Sequence, residues 1–179
     1  MSKCPMCGKE IYGNYQYCYR CNTIQKKFAD VTKEWLIACN LDRYRLFDAI
    51  KEHKMIYWRA KAGFSVGDIV YLFFVGEKSI PYLCKFDVTA INKSQKDLPY
   101  DDKEYYISTI KRSDEPYTFF ENPKLFYNDL INLHQFRLHS FSNFTLRSTM
   151  LLNKVPELLE FIHDIEKNGN TKISTFNEE

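Results

Sequence analysis

The chain has 179 residues, 45% hydrophobic and 16% aromatic, enough apolar surface for one ordinary domain and a small additional module. A formal net charge of +2 is too small to imply nucleic-acid binding by itself, so any basic footprint has to be local. No run of about eighteen apolar residues occurs, which excludes a transmembrane helix. The opening Met1-Ser2-Lys3-Cys4 leads into polar, cysteine-rich sequence rather than the apolar stretch of a secretory signal. The expectation is a cytoplasmic protein, a setting in which paired cysteines suggest metal more than disulfides.

The first motif in the chain is its clearest. Cys4-Pro5-Met6-Cys7-Gly8 and Cys18-Tyr19-Arg20-Cys21 are two C-x-x-C knuckles separated by ten residues. A C-x-x-C turn puts both sulfurs on one side of a tight loop. Two such turns facing each other make the tetrahedral set of soft thiolates that zinc favours. Gly8 follows Cys7 where the chain often needs positive φ, and Gly13-Asn14 suits a small hairpin turn between the knuckles. A fragment this short cannot bury enough surface to fold alone. One structural Zn2+ held by Cys4, Cys7, Cys18 and Cys21 is therefore expected to supply most of its stability. The alternative, redox pairs or disulfides, lacks the strand–helix context of a redox C-x-x-C. Lys3, Lys9, Arg20, Lys26 and Lys27 make this ribbon basic, either for phosphate contact or as a solvated face.

The chain divides into a ribbon over 1–27, a patterned segment over 31–167 and a polar tail over 168–179. Lys33 to Asn40 reads as a strand with Trp35, Ile37 and Cys39 on one side. Arg43 to His53 carries Leu46, Phe47 and Ile50 at helical spacing. Gly67-Asp68 turns the chain into Ile69 to Val75, an apolar run that suits a strand buried on both faces. Ile80 to Asn92 alternates, with Tyr82, Cys84, Phe86, Val88 and Ala90 on one face. Cys39 and Cys84, on the apolar sides of their strands, are expected to be buried small hydrophobes.

A polar excursion from Pro99 to Ser113 contains a further predicted strand, Tyr105 to Ile110. Asn122-Pro123 predicts a helix start running to Leu133, and Gln135 to Leu152 reads as strand and loop. Pro156 fits the first turn of a closing helix whose stripe is Val155, Leu158, Leu159, Ile162 and Ile165. The sum is an α+β fold: a bent mixed β-barrel with flanking helices, plus the small N-terminal zinc ribbon.

No H-N-H pattern, P-loop, G-x-S-x-G or H-E-x-x-H occurs, and His53, His134, His139 and His163 are scattered. Asp101-Asp102 with Glu104 reads as a solvated acidic turn. The chain is expected not to be an enzyme.

Three stretches together resemble the EVE-type branch of the PUA-like superfamily. They are Lys33-Glu34-Trp35-Leu36-Ile37-Ala38-Cys39-Asn40, then Ile56-Tyr57-Trp58-Arg59, then Val66-Gly67-Asp68-Ile69-Val70-Tyr71-Leu72-Phe73 with the alternating strand that follows. The ending Val155-Pro156-Glu157-Leu158-Leu159-Glu160-Phe161-Ile162 also looks like that family's closing helix. The resemblance implies a small bent barrel that reads a modified base in DNA or RNA by flipping it into an aromatic-lined pocket. Stacking returns about 1–3 kcal/mol per base against an unpairing cost of a few kcal/mol. It further implies a specificity module in a modification-dependent restriction or defence system, working with a partner nuclease or other effector.

Carried over by position, Trp58 is the first choice for stacking on the base and Asn40 for bonding its edge, with Trp35 and Tyr71 next. Arg59, Lys61, Arg137 and Arg147 are the residues that could hold phosphates. A competing expectation, favoured by the near-neutral charge, is a zinc-ribbon interaction or scaffold module with no nucleic-acid ligand.

Overall fold

The computed structural model describes residues 2–3, 10–11, 18–19, 22, 31–59, 63–75, 81–107, 116–140 and 149–168. Near the N-terminus, β1 (Ser2–Lys3) pairs antiparallel with β2 (Glu10–Ile11), Ser2 opposite Ile11 and Lys3 opposite Glu10. The two strands flank Cys4 and Cys7 in sequence. The expected turn at Gly13-Asn14 lies outside the described residues.

The larger unit is built on six strands: β3 (Glu34–Asn40), β4 (Met55–Arg59), β5 (Ile69–Val75), β6 (Tyr82–Lys93), β7 (Tyr117–Tyr127) and β8 (Met150–Leu151). Their order is β4-β7-β6-β5-β3-β8. β3 and β5 run parallel, in register from Glu34 opposite Ile69 to Asn40 opposite Val75, and every other neighbouring pair is antiparallel. The result is a mixed half-barrel sheet with few flanking helices, an α+β fold.

Both faces of the sheet are covered. On one face Trp35, Ile37 and Cys39 of β3 pack with Val70, Leu72 and Phe74 of β5 and Cys84, Phe86 and Val88 of β6. Helix α1 (Leu46–His53) closes this side with Leu46, Ala49 and Ile50, one stripe at i, i+3 and i+4. On the other face Leu36, Tyr71, Phe73 and Leu83 meet Phe136 of helix α2 (Leu133–Leu138) and Leu158, Ile162 and Ile165 of helix α3 (Pro156–Asn168). This double coverage is why β5 reads as an unbroken apolar run. Gly67 has a φ of 90°, a conformation that L side chains rarely adopt, and its N–H donates to the Val88 carbonyl at 2.8 Å.

Three predicted elements are corrected, the first being Gln135 to Leu152, expected as strand and loop, whose start lies in helix α2 (Leu133–Leu138). Asn122-Pro123 starts no helix; both residues lie inside β7, which pairs with β4 and β6 at once. Lys85 faces Lys124 and Asp87 faces Glu121, so Asn122 and Pro123 together oppose Phe86 alone, a β-bulge. Asn122 there adopts a left-handed φ of 55°, and proline's missing donor is tolerated at a bulge. At the start of the strand expected over Tyr105 to Ile110, a 3-10 turn, Asp102–Tyr105, is followed by an isolated bridge between Tyr44 and Tyr106; residues 108–110 lie outside the described residues.

Candidate functional site

A cleft of about 330 Å³ opens where the ends of β3 and β4 meet the turn after β3 and the 100–106 segment. Its lining comprises Ala38, Cys39 and Asn40 of β3, Arg43 and Tyr44 of the turn, Tyr57, Trp58 and Arg59 of β4, with Tyr106 and Tyr117. Four tyrosines and one tryptophan therefore surround a space that also receives an amide and two guanidinium groups.

The wall is held by backbone and phenol bonds. Arg45 N–H donates to the Tyr105 carbonyl at 2.7 Å, and Ile107 N–H donates to the Arg43 carbonyl at 3.0 Å. Tyr57 Oη donates to the Tyr100 carbonyl at 2.9 Å and accepts from the Asp102 N–H at 2.8 Å. Tyr100 Oη donates to the Met55 carbonyl at 3.0 Å, and its ring stacks on His53 with centroids 3.6 Å apart. The Tyr44 and Tyr106 rings lie 4.7 Å apart, so the turn after β3 and the 100–106 segment meet ring to ring. Burial pushes the Tyr106 phenol up to about 12, reinforced by the charge of Asp102 and opposed by that of Arg59. Tyr44 is raised further, again mainly by burial. Both phenols stay neutral near pH 7 and serve as hydrogen-bonding groups, not anions.

Trp58, half-buried, stacks on Phe120 with centroids 6.5 Å apart and an interplanar angle of 19°. Asn40 ends β3, where its Oδ1 accepts the Asp42 N–H at 2.8 Å and thereby shapes the turn that presents Arg43 and Tyr44. Among the described residues its Nδ2 has no partner. Cys39 borders the cleft too, but burial pushes its thiol up to about 12, so it stays protonated.

The structure brings Trp58, Asn40 and Arg59 to one cleft and leaves Trp35 and Tyr71 out of it. Trp35 is 3% exposed and donates Nε1–H to Asp68 Oδ2 at 2.8 Å. Tyr71 belongs to the opposite face, where its Oη meets Glu34 Oε2 at 3.0 Å and Glu166 Oε2 at 3.3 Å. Both expectations are corrected: these two rings are core. Trp35 is buried with Asp68 and Tyr71 with Glu34, pairings that sequence spacing does not reveal. Arg137 is exposed on α2, whose Phe136 belongs to the core of that opposite face. Lys61 and Arg147 lie outside the described residues. Sequence reasoning missed Arg43, Tyr44, Tyr106 and Tyr117; the chain separations involved left no periodic signal.

Of the four expected zinc ligands, Cys4, Cys7 and Cys21 lie outside the described residues. Cys18 is half-buried at the start of a helical turn, with the Asn22 N–H donating to its carbonyl at 2.9 Å. Among the described residues no group of three or more His, Cys, Asp or Glu side chains is placed to hold a metal. The donor chemistry of a Cys4-type set still fits zinc, and the β1–β2 pairing brackets the first knuckle as a ribbon would. No described helix is long and apolar enough to cross a membrane.

Fold and cleft together define an α+β half-barrel with an aromatic, guanidinium-edged hollow at one end of its sheet. Solved structures of similar shape are those of ASCH from Zymomonas mobilis. The protein itself aligns over 79% of this chain and 97% of that one, with 17% identity and a TM-score of 0.46. Two point mutants of it align with TM-scores of 0.48 and 0.49 at 17% and 16% identity, covering 78% and 74% of this chain and 99% and 96% of theirs. At this identity and score the likeness is one of outline and carries nothing about ligand or activity. No protein-family model matches the chain, and no curated protein matches it.

Proposed function

We propose that this chain binds nucleic acid and reads a modified base in the Asn40–Trp58 cleft, as a reader and not a catalyst. The observation that supports it is that two residues separated by eighteen positions, named from sequence for stacking and for edge bonding, line one hollow of about 330 Å³. Trp58 would stack on the base, Asn40 Nδ2 would meet its edge, and Arg59 would contact the backbone. The remaining tyrosines would exclude water from the inserted ring. A methyl or hydroxymethyl group adds contacts that only the modified base can make, and a flipped base regains on aromatic faces what unstacking costs it.

The same reading assigns one structural zinc to Cys4, Cys7, Cys18 and Cys21, and makes the ribbon an auxiliary grip on nucleic acid or on an effector. Service as the specificity module of a modification-dependent restriction or defence system, beside a separate nuclease, is the role such a reader would fill. The test is a binding panel of modified and plain oligonucleotides, single- and double-stranded, at one salt concentration. Selective binding lost in Trp58→Ala supports the reading. Equal affinity for all members with a steep salt slope leaves a backbone binder only. No binding at all, with a stoichiometric protein partner in pull-downs, replaces it with the interaction-module reading.

A further inference from the structure

Outside the cleft, one imidazole grips both ends of the turn that carries part of its aromatic wall. His53, the last residue of α1, is not among the residues that line the cleft. Its ring stacks on Tyr100 with centroids 3.6 Å apart and 9° between the planes, and its Nε2 lies 2.9 Å from Tyr105 Oη. The Tyr105 hydroxyl donates its proton to Glu52 Oε2, so its oxygen is left to accept the imidazole Nε2–H. The Tyr100 and Tyr105 rings meet edge to face at 6.1 Å, which closes a group of three rings.

Each end of the turn leads on to residues of the cleft. The Tyr100 carbonyl takes the Tyr57 hydroxyl at 2.9 Å, and the two rings lie 5.0 Å apart. The Tyr105 ring meets Tyr44 edge-on at 6.4 Å, and its carbonyl takes the Arg45 N–H at 2.7 Å. The next residue, Tyr106, lies ring to ring with Tyr44 at 4.7 Å. Tyr44, Tyr57 and Tyr106 all line the cleft, so His53 stands one residue behind three of its rings. Recognition of a small substituent needs its walls held to within about 0.5 Å, whereas contacts to a nucleic-acid backbone tolerate larger shifts.

We propose that His53 is a positioning residue for base recognition: through Tyr100 and Tyr105 it sets the spacing of the cleft rings, and with it the preference for a modified over a plain base. The inference rests on the base-reading function above.

The test measures the affinity of the full chain for one oligonucleotide with and without the favoured modified base, at one salt concentration. His53→Phe keeps the stack and loses the Nε2–H donor. Its modified-to-plain affinity ratio should fall about three- to tenfold, the worth of one hydrogen bond, while affinity for the plain oligonucleotide stays as in the parent. His53→Gln, which offers an amide N–H at similar reach, should restore most of the ratio. Tyr105→Phe should lower the ratio as well, and the double variant no further than Tyr105→Phe alone, because both changes break one shared bond. Circular dichroism establishes that each variant is folded; if His53→Phe is not, Tyr105→Phe decides by the same ratio. A ratio unchanged in the folded variants overturns the inference and leaves base reading intact. Modified and plain affinities that fall by one common factor also overturn it, since His53 then supports the fold alone. A parent chain that prefers no modified base overturns the function and the inference with it.

Discussion

Trp35 and Asp68 are joined in the core by an indole N–H donating to a carboxylate oxygen at 2.8 Å. The same oxygen accepts the Ser65 N–H at 2.8 Å, and the buried Lys33 ammonium stands 3.8 Å away, itself donating to Ser65 Oγ at 2.7 Å. The pair ties β3 to the turn ahead of β5, across the parallel seam of the sheet, where no short hairpin could do so.

Replacing Trp35 by Phe should therefore lower stability by about 1–3 kcal/mol in urea denaturation, because it strips a donor from a buried carboxylate. Oligonucleotide affinity should not change. Lost affinity in a variant with intact stability would return Trp35 to the cleft. The pH dependence has a definite sign. Burial holds the Asp68 carboxyl above its ordinary value of 3.8, against the lowering action of Trp35, Ser65 and Lys33. The folded chain thus binds the proton more tightly than the unfolded one. Stability attributable to Asp68 falls as pH rises from the ordinary value through the raised one, then stays level. In Asp68→Asn that slope disappears from the urea midpoints, at the cost of leaving Lys33 buried without its counter-charge.

At the cleft, Trp58→Ala should weaken binding of the favoured modified base by about 1–3 kcal/mol, the worth of one stacked base. Asn40 needs a more careful substitution, since its Oδ1 caps the turn at Asp42. Asn40→Asp keeps that acceptor, removes the Nδ2 donor and adds a negative charge to the cleft, so it is compared with the parent at high salt, where the charge is screened. Its circular dichroism and urea midpoint should match the parent while affinity drops about tenfold, the worth of a hydrogen bond of about 1.4 kcal/mol. Unchanged affinity would remove Asn40 from base recognition.

On the opposite face, Tyr71 Oη lies against two carboxylates, Glu34 and Glu166, which are held in turn by His163 at 2.9 Å and Lys85 at 2.9 Å. The cluster locks α3 onto the sheet. Tyr71→Phe takes away the one hydroxyl between the two carboxylates, and should cost about 1–3 kcal/mol of stability by leaving buried acceptors short of a donor. Nucleic-acid binding should stay as it was; a selective loss of affinity would place a ligand on this face instead.

The cysteines separate by chemistry. Burial pushes Cys39 up to about 12 and raises Cys84 as well, so neither should react with iodoacetamide in the folded protein at mildly alkaline pH. Purified protein should hold one zinc per chain, and a strong chelator should release it and make Cys4, Cys7, Cys18 and Cys21 reactive together. Metal-free protein whose four N-terminal thiols alkylate at once would end the ribbon assignment.

How far the sequence could be read follows from where its signals come from. β5 and β6 were plain because burial on two faces writes an apolar run and burial on one writes an alternation, and both patterns are local. The stripe of α3 was plain for the same reason. Asn122-Pro123 misled because the pair is a helix signal in isolation; only the second strand alongside, with its Lys85–Asp87 step, makes it a bulge. Both tryptophans sit on strands and look alike in sequence. A buried acceptor, Asp68, sends Trp35 inward, while the short edge position of β4 leaves Trp58 at the cleft.

Residue chemistry and spacing alone thus determined the buried strands and the closing helix. Tertiary structure decided which rings share a hollow, and it added Arg43, Tyr44, Tyr106 and Tyr117 to them. The physical reason is range. Periodicity and turn chemistry act over a few residues, whereas the cleft is closed by the parallel β3–β5 pairing and the Tyr44–Tyr106 bridge, contacts between segments tens of residues apart.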